Sequence, residues 1–61
     1  MNMLKEIIGE ENISVQMYEN GGGHAGKPYT VRMIDLDVNE TIHCVICPSI
    51  EIAEKKFAEM V

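Results

Sequence analysis

The sequence has no tryptophan, one phenylalanine, two tyrosines and two cysteines among 61 residues. It is also poor in positive charge, with five Lys plus Arg against ten Asp plus Glu. The resulting formal charge of −5 argues against simple docking on phosphate backbones, which relies on Lys and Arg. Long apolar runs are missing too. None approaches the ~18 residues of a membrane span, so no membrane partner is expected. Met1–Gly9 is too short for a signal peptide and carries Lys5 and Glu6 inside its apolar part. The expected setting is therefore cytoplasmic, where cysteines stay reduced. Asn12-Ile13-Ser14 and Asn39-Glu40-Thr41 match the glycosylation pattern, which has no meaning without secretion. A chain this short forms a single domain over 1–61 and buries only ~60% of the surface its unfolded form exposes. That leaves no room for a deep enclosed active site, and no cofactor is implied.

What is present reads as globular: 46% hydrophobic and 25% charged residues. Asn2 can cap a short helix through Ile8, with Leu4, Ile7 and Ile8 on one side and Gly9 ending it. Ile13, Val15 and Met17 alternate with Ser14, Gln16 and Tyr18, which predicts a half-buried strand. Asn20 to Pro28 holds four of the five glycines and reads as a loop. Tyr29, Val31 and Met33 resume the alternation, with Thr30 and Arg32 facing out. The pattern slips at Met33-Ile34, where a bulge or a strand end is expected. Asp37 to Glu40 predicts a turn. Ile42, Cys44 and Ile46 then alternate with His43, Val45 and Cys47 as a third strand, the first set being the inner one. Pro48 ends it, and Ser49 caps a final helix whose inner face is Ile50, Ala53, Phe57 and Val61. The expected fold is α-β-β-β-α, a three-stranded antiparallel sheet with N- and C-terminal helices packed on one face.

Several motifs dissolve on inspection. Gly21 to Lys27 fits G-x-x-x-x-G-K, but Pro28 and a strand follow where a phosphate-binding loop needs Ser or Thr and a helix. Cys44 and Cys47 form C-x-x-C, yet strand spacing sends them to opposite sides, and zinc needs four converging ligands. Cys44 is then a core residue. Cys47, before Pro48 and a helix start, has a place where a thiol pKa can fall, but His43 stands roughly 13 Å away along a strand. Asp35-Leu36-Asp37-Val38-Asn39 opens like a calcium loop and then lacks its Gly and its final Glu. It reads as a solvated acidic turn or as part of an acidic recognition patch.

The predicted order of elements resembles the double-stranded-RNA-binding domain. Gly23-His24-Ala25, followed by Tyr29-Thr30-Val31-Arg32, is similar to that family's Gly-x-His loop and aromatic-led strand. Ser49, Ala53, Phe57, Ala58 and Val61 are similar to its Ser-led final helix. The resemblance implies a sheet-and-helix RNA-binding fold. It fails where the family keeps phosphate-gripping lysines, because Ile50, Glu51 and Glu54 stand there. The resemblance then implies action through protein contacts. The chain also resembles, more loosely, the small acidic anti-CRISPR inhibitors of phages, through its Met1-Asn2 start, the Asp37-x-Asn39-Glu40 turn and Glu54-Lys55-Lys56-Phe57.

Two functional expectations follow. The first is a non-enzymatic protein-binding or inhibitory module, acting by self-association or on a nucleic-acid-processing partner. Its candidate contacts are Tyr18, Ile34, Leu36, Val45 and Ile52, which would form an outward apolar patch, with the acids Asp35, Asp37, Glu40, Glu51 and Glu54. The second is duplex-RNA binding with contacts moved to His24, Lys27, Arg32, Lys55 and Lys56.

Overall fold

The computed structural model describes residues 2–21 and 26–61. Four strands, β1 (Asn2–Ile8), β2 (Ile13–Glu19), β3 (Tyr29–Asp35) and β4 (Glu40–Cys47), form one antiparallel sheet in chain order. A single helix, α1 (Ile50–Met60), follows. The expected α-β-β-β-α arrangement, with a three-stranded sheet between two helices, is therefore wrong. Residues 2–8 are an edge strand paired with β2, from Asn2 opposite Glu19 to Ile8 opposite Ser14. The register shifts between Met3 and Lys5, leaving Leu4 as an extra residue. That bulge breaks the two-residue alternation of a strand. Leu4, Ile7 and Ile8 consequently show a helical spacing that the backbone does not follow.

β2 and β3 pair without interruption from Ile13 opposite Asp35 to Glu19 opposite Tyr29. Directly opposed residues share a face, so Val15, Met17, Val31 and Met33 point the same way, towards α1. Between β3 and β4 the register shifts at Met33 and Ile34, and Ile42 is the unpaired residue. The irregularity falls at the level the sequence indicates, but the extra residue belongs to β4. Val31 is opposed by Val45 and Tyr29 by Cys47. The inner side of β4 is therefore Val45 and Cys47, not the expected Ile42, Cys44 and Ile46. Both sides of this strand are apolar, so its alternation alone does not choose between them. Cys44, expected in the core, is exposed.

α1 behaves as its sequence indicates. Ser49 adopts an extended backbone, and its Oγ accepts from the Ile52 N–H at 3.3 Å, which satisfies one of the free donors of the first turn. Ala53 and Phe57 are buried on the sheet, with Ile50 and Met60 packed beside them. Val61 lies past the helix and is exposed, so it does not extend this face. The core is Val15, Met17, Val31, Cys47, Ala53 and Phe57. Each large side chain in it contributes on the order of 1.5–3 kcal/mol by leaving water. All seven residues of β1 stay exposed. Its tie to the helix is an ion pair between Lys5 Nζ and Glu54 Oε1 at 3.2 Å, with the same ammonium 5.5 Å from the centre of the Phe57 ring. No helix among the described residues is long and apolar enough to cross a membrane.

Candidate functional site

The turn at Glu10–Asn12 joins β1 to β2, and residues 36–39 join β3 to β4. An antiparallel sheet puts both connections at one end. They touch: Leu36 N–H donates to the Asn12 carbonyl at 3.1 Å, and Asn12 Nδ2 donates to Asp37 Oδ1 at 3.0 Å. Glu10, Glu11, Asp35, Asp37 and Glu40 meet here. The other acids, Glu6, Glu19, Glu51, Glu54 and Glu59, equal in number the bases Lys5, Lys27, Arg32, Lys55 and Lys56. The whole excess of −5 thus sits at this one end.

Little neutralises it. The ion pairs among the described residues join Lys5 to Glu54 and Lys56 to Glu59. Asp35 stands directly opposite Glu40, a like-charge juxtaposition that costs stability. The last turn of α1 carries no basic residue. Its carbonyl end, which bears partial negative charge, lies here too, because Met60 and Val61 border the start of β2.

The same end is apolar. Among the described residues the four most exposed large apolar side chains are Val38 at 64%, Val61 at 63%, and Ile8 and Ile42 at 55% each. Val38 lies in the turn, Ile8 closes β1, Ile42 is the bulge of β4 and Val61 follows α1. At this end an open groove of about 190 Å³ is lined by Ile7, Ile13, Val15, Met60 and Val61, with Gly9 and Glu10. Backbone strain gathers here as well. Among the described residues the non-glycines with positive φ are Glu11 (60°), Asn12 (60°) and Asn39 (53°), all in the two turns. Asparagine tolerates that region, but glutamate does so at a cost on the order of 1 kcal/mol.

The sheet face away from α1 is of another kind. Glu6 Oε2 accepts from Ser14 Oγ at 2.6 Å and Gln16 Nε2 at 2.8 Å. Gln16 Oε1 accepts from the Tyr18 hydroxyl at 2.6 Å and Arg32 Nε at 2.9 Å. The two donors hold the Glu6 carboxyl below the usual carboxylate range. Ser14, Gln16 and Ile34 are buried on this face although no helix covers it. No buried side-chain polar atom among the described residues lacks a partner.

The residues expected to bind a partner do not form one surface. Asp35, Asp37 and Glu40 belong to the acidic end, with Leu36 half-buried between them. Tyr18 and Ile34 lie on the open sheet face, where Tyr18 is tied into the polar network and Ile34 is buried. Val45 faces α1 and packs on the core, so it is not outward. Glu51, Ile52 and Glu54 ride on the exposed side of α1, Glu54 already paired. The bases expected for RNA are scattered. Arg32 is held in the network, Lys55 and Lys56 sit on α1 on the other side of the sheet, and Lys27 lies at the opposite end. His24 lies outside the described residues. Sequence reasoning missed Ile7, Ile8, Glu10, Glu11, Val38 and Met60. The acids at Glu10 and Glu11 stand just ahead of β2, and the pairing of Ile13 with Asp35 brings them to the end that holds the 36–39 turn.

Cys44 and Cys47 point to opposite faces, as their spacing requires. Cys47 has no exposed surface, and burial pushes its thiol pKa up despite the attraction of Lys56. Burial outweighs the lowering that a helix start can bring. No three His, Cys, Asp or Glu side chains among the described residues gather to hold a metal ion. Comparison with protein-family models, with curated proteins and with solved structures finds no match.

Proposed function

We propose that this chain is a small, acidic, non-enzymatic protein-binding module that docks a basic protein on the acidic end of its sheet. The observation that carries this reading is the coincidence, at that end, of the entire excess negative charge with the most exposed apolar side chains. Apolar surface supplies affinity and unpaired charge supplies steering and discrimination between partners. The like-charge pair Asp35–Glu40 and the strained Glu11 support the reading. Both cost stability in a fold with little to spare, and strain of this sort clusters where a protein functions. The buried thiol of Cys47 and the free thiol of Cys44 suit a reducing cytoplasm. Nucleic-acid-processing proteins present basic surfaces, so inhibition by occupying such a surface is the action this geometry suits best.

The test is affinity capture from a cell extract, with mass spectrometry, using three immobilised chains. These are wild type, Glu10→Gln/Glu11→Gln/Glu40→Gln, and the control Glu51→Gln/Glu54→Gln. The reading expects a basic protein retained by wild type and control and lost from the first variant. Equal recovery on all three overturns it. So does a concentration-dependent dimer in light scattering that persists in the acid-end variant.

A further inference from the structure

We infer that the groove between Ile7, Ile13, Val15 and Met60 receives one large apolar side chain from a basic segment of the partner protein. The inference rests on the proposed docking end and specifies what enters it. A cavity of ~150 Å³ lined by aliphatic and aromatic groups takes up benzene, so an open groove of about 190 Å³ accommodates a phenylalanine or leucine side chain. The lining is aliphatic except for Glu10 at its edge. An anchor seated there has its flanking residues beside Glu10, Glu11 and the carbonyl end of α1, which has no basic residue of its own. Lysine or arginine next to the anchor in sequence is the complementary choice. A second copy of this chain brought to the same end would oppose acids with acids, and a nucleic acid would oppose them with phosphates.

The groove can be altered without disturbing the fold. Gly9 lines it and has φ −96°, a conformation open to any residue. A Cβ there would meet nothing nearer than the Ile13 carbonyl oxygen at 3.9 Å. Gly9→Leu therefore adds an aliphatic side chain at the groove wall without a clash at its Cβ. Ile7→Ser, at an exposed edge position, removes part of its wall instead.

The probes are two fluorescein-labelled peptides of lysine and arginine, one with a central phenylalanine and one with serine in its place. Binding is read by fluorescence anisotropy at low salt. The phenylalanine peptide should bind wild type about tenfold or more tightly than the serine peptide. Gly9→Leu and Ile7→Ser should each remove that preference and leave the weak binding of the serine peptide unchanged. Two peptides that bind equally, both lost in Glu10→Gln/Glu11→Gln/Glu40→Gln, overturn the groove inference and leave the docking end standing. A preference for phenylalanine that survives in both groove variants also overturns it. Peptides that ignore the acid-end substitutions overturn both readings.

Discussion

Arg32 and Tyr18 grip one another across β2 and β3. The guanidinium carbon lies 4.7 Å from the centre of the tyrosine ring, and Nη2 donates to the tyrosine hydroxyl at 2.8 Å. Nε of the same guanidinium reaches Gln16. Only a planar fork makes all three contacts at once. Arg32→Lys should therefore destabilise the fold by roughly 1–2 kcal/mol, read as a lower midpoint in urea. An unchanged midpoint would mean that the network contributes nothing.

The two thiols should differ sharply in reactivity. Cys44 is exposed and Cys47 fully buried, so a disulfide reagent should modify one thiol quickly and the second only as the chain unfolds. Cys44→Ser should abolish the fast phase. Because burial raises the folded pKa of Cys47, the unfolded chain loses that proton first. Stability should then fall as pH rises above the ordinary thiol value of ~8.5, and Cys47→Ala should flatten that decline.

Glu40→Lys replaces the like-charge pair with Asp35 by an attractive one. The gain should be about 0.2–1 kcal/mol in urea or thermal unfolding. The same substitution should weaken capture of the basic partner, so that stability and binding move in opposite directions. A variant less stable than wild type would show that the pair is not a source of strain.

Glu6 contributes to stability on the acid side. Ser14 and Gln16 hold its folded pKa below the usual range, so the unfolded chain binds its proton first as pH drops. Its contribution is complete above the ordinary carboxylate value of ~4.3 and disappears as pH falls through the lower folded value. Glu6→Gln should flatten this limb of the stability profile, measured by urea titration at stepped pH. A limb of unchanged slope would remove Glu6 as its source.

Much of the fold is legible in the sequence, and the failures have specific causes. Ser49, Ala53 and Phe57 announce α1 because capping and a 3.6-residue period act locally. Val15, Met17, Val31 and Met33 announce β2 and β3 because one face of each is polar. β1 is hidden by its bulge at Leu4, and its helix-like spacing is overruled only by pairing with distant residues of β2. The adjacent β-branched pair Ile7-Ile8 was the available hint. β4 is apolar on both sides, so only the docking of α1 shows that Val45 and Cys47 are the inner ones. Part of the candidate site shares the fate of β1. Asp35, Asp37 and Glu40 could be read as an acidic patch, and Glu10 and Glu11 join them through the β2–β3 pairing, but the groove wall at Ile7 depends on a strand the sequence presents as a helix.

Each strand pairs only with its neighbours in the chain, and this has a kinetic consequence. The sheet assembles without any crossover, and loop-closure entropy favours the shortest connection. Two connections are equally short, residues 9–12 and 36–39, but only the second joins strands that both contribute to the core, through Val31 and Cys47. Folding should nucleate in the β3–β4 hairpin, with high φ-values there and low ones along the exposed β1. The segment that bears most of the unbalanced charge would then be the first to take shape, and the strand that completes the groove the last.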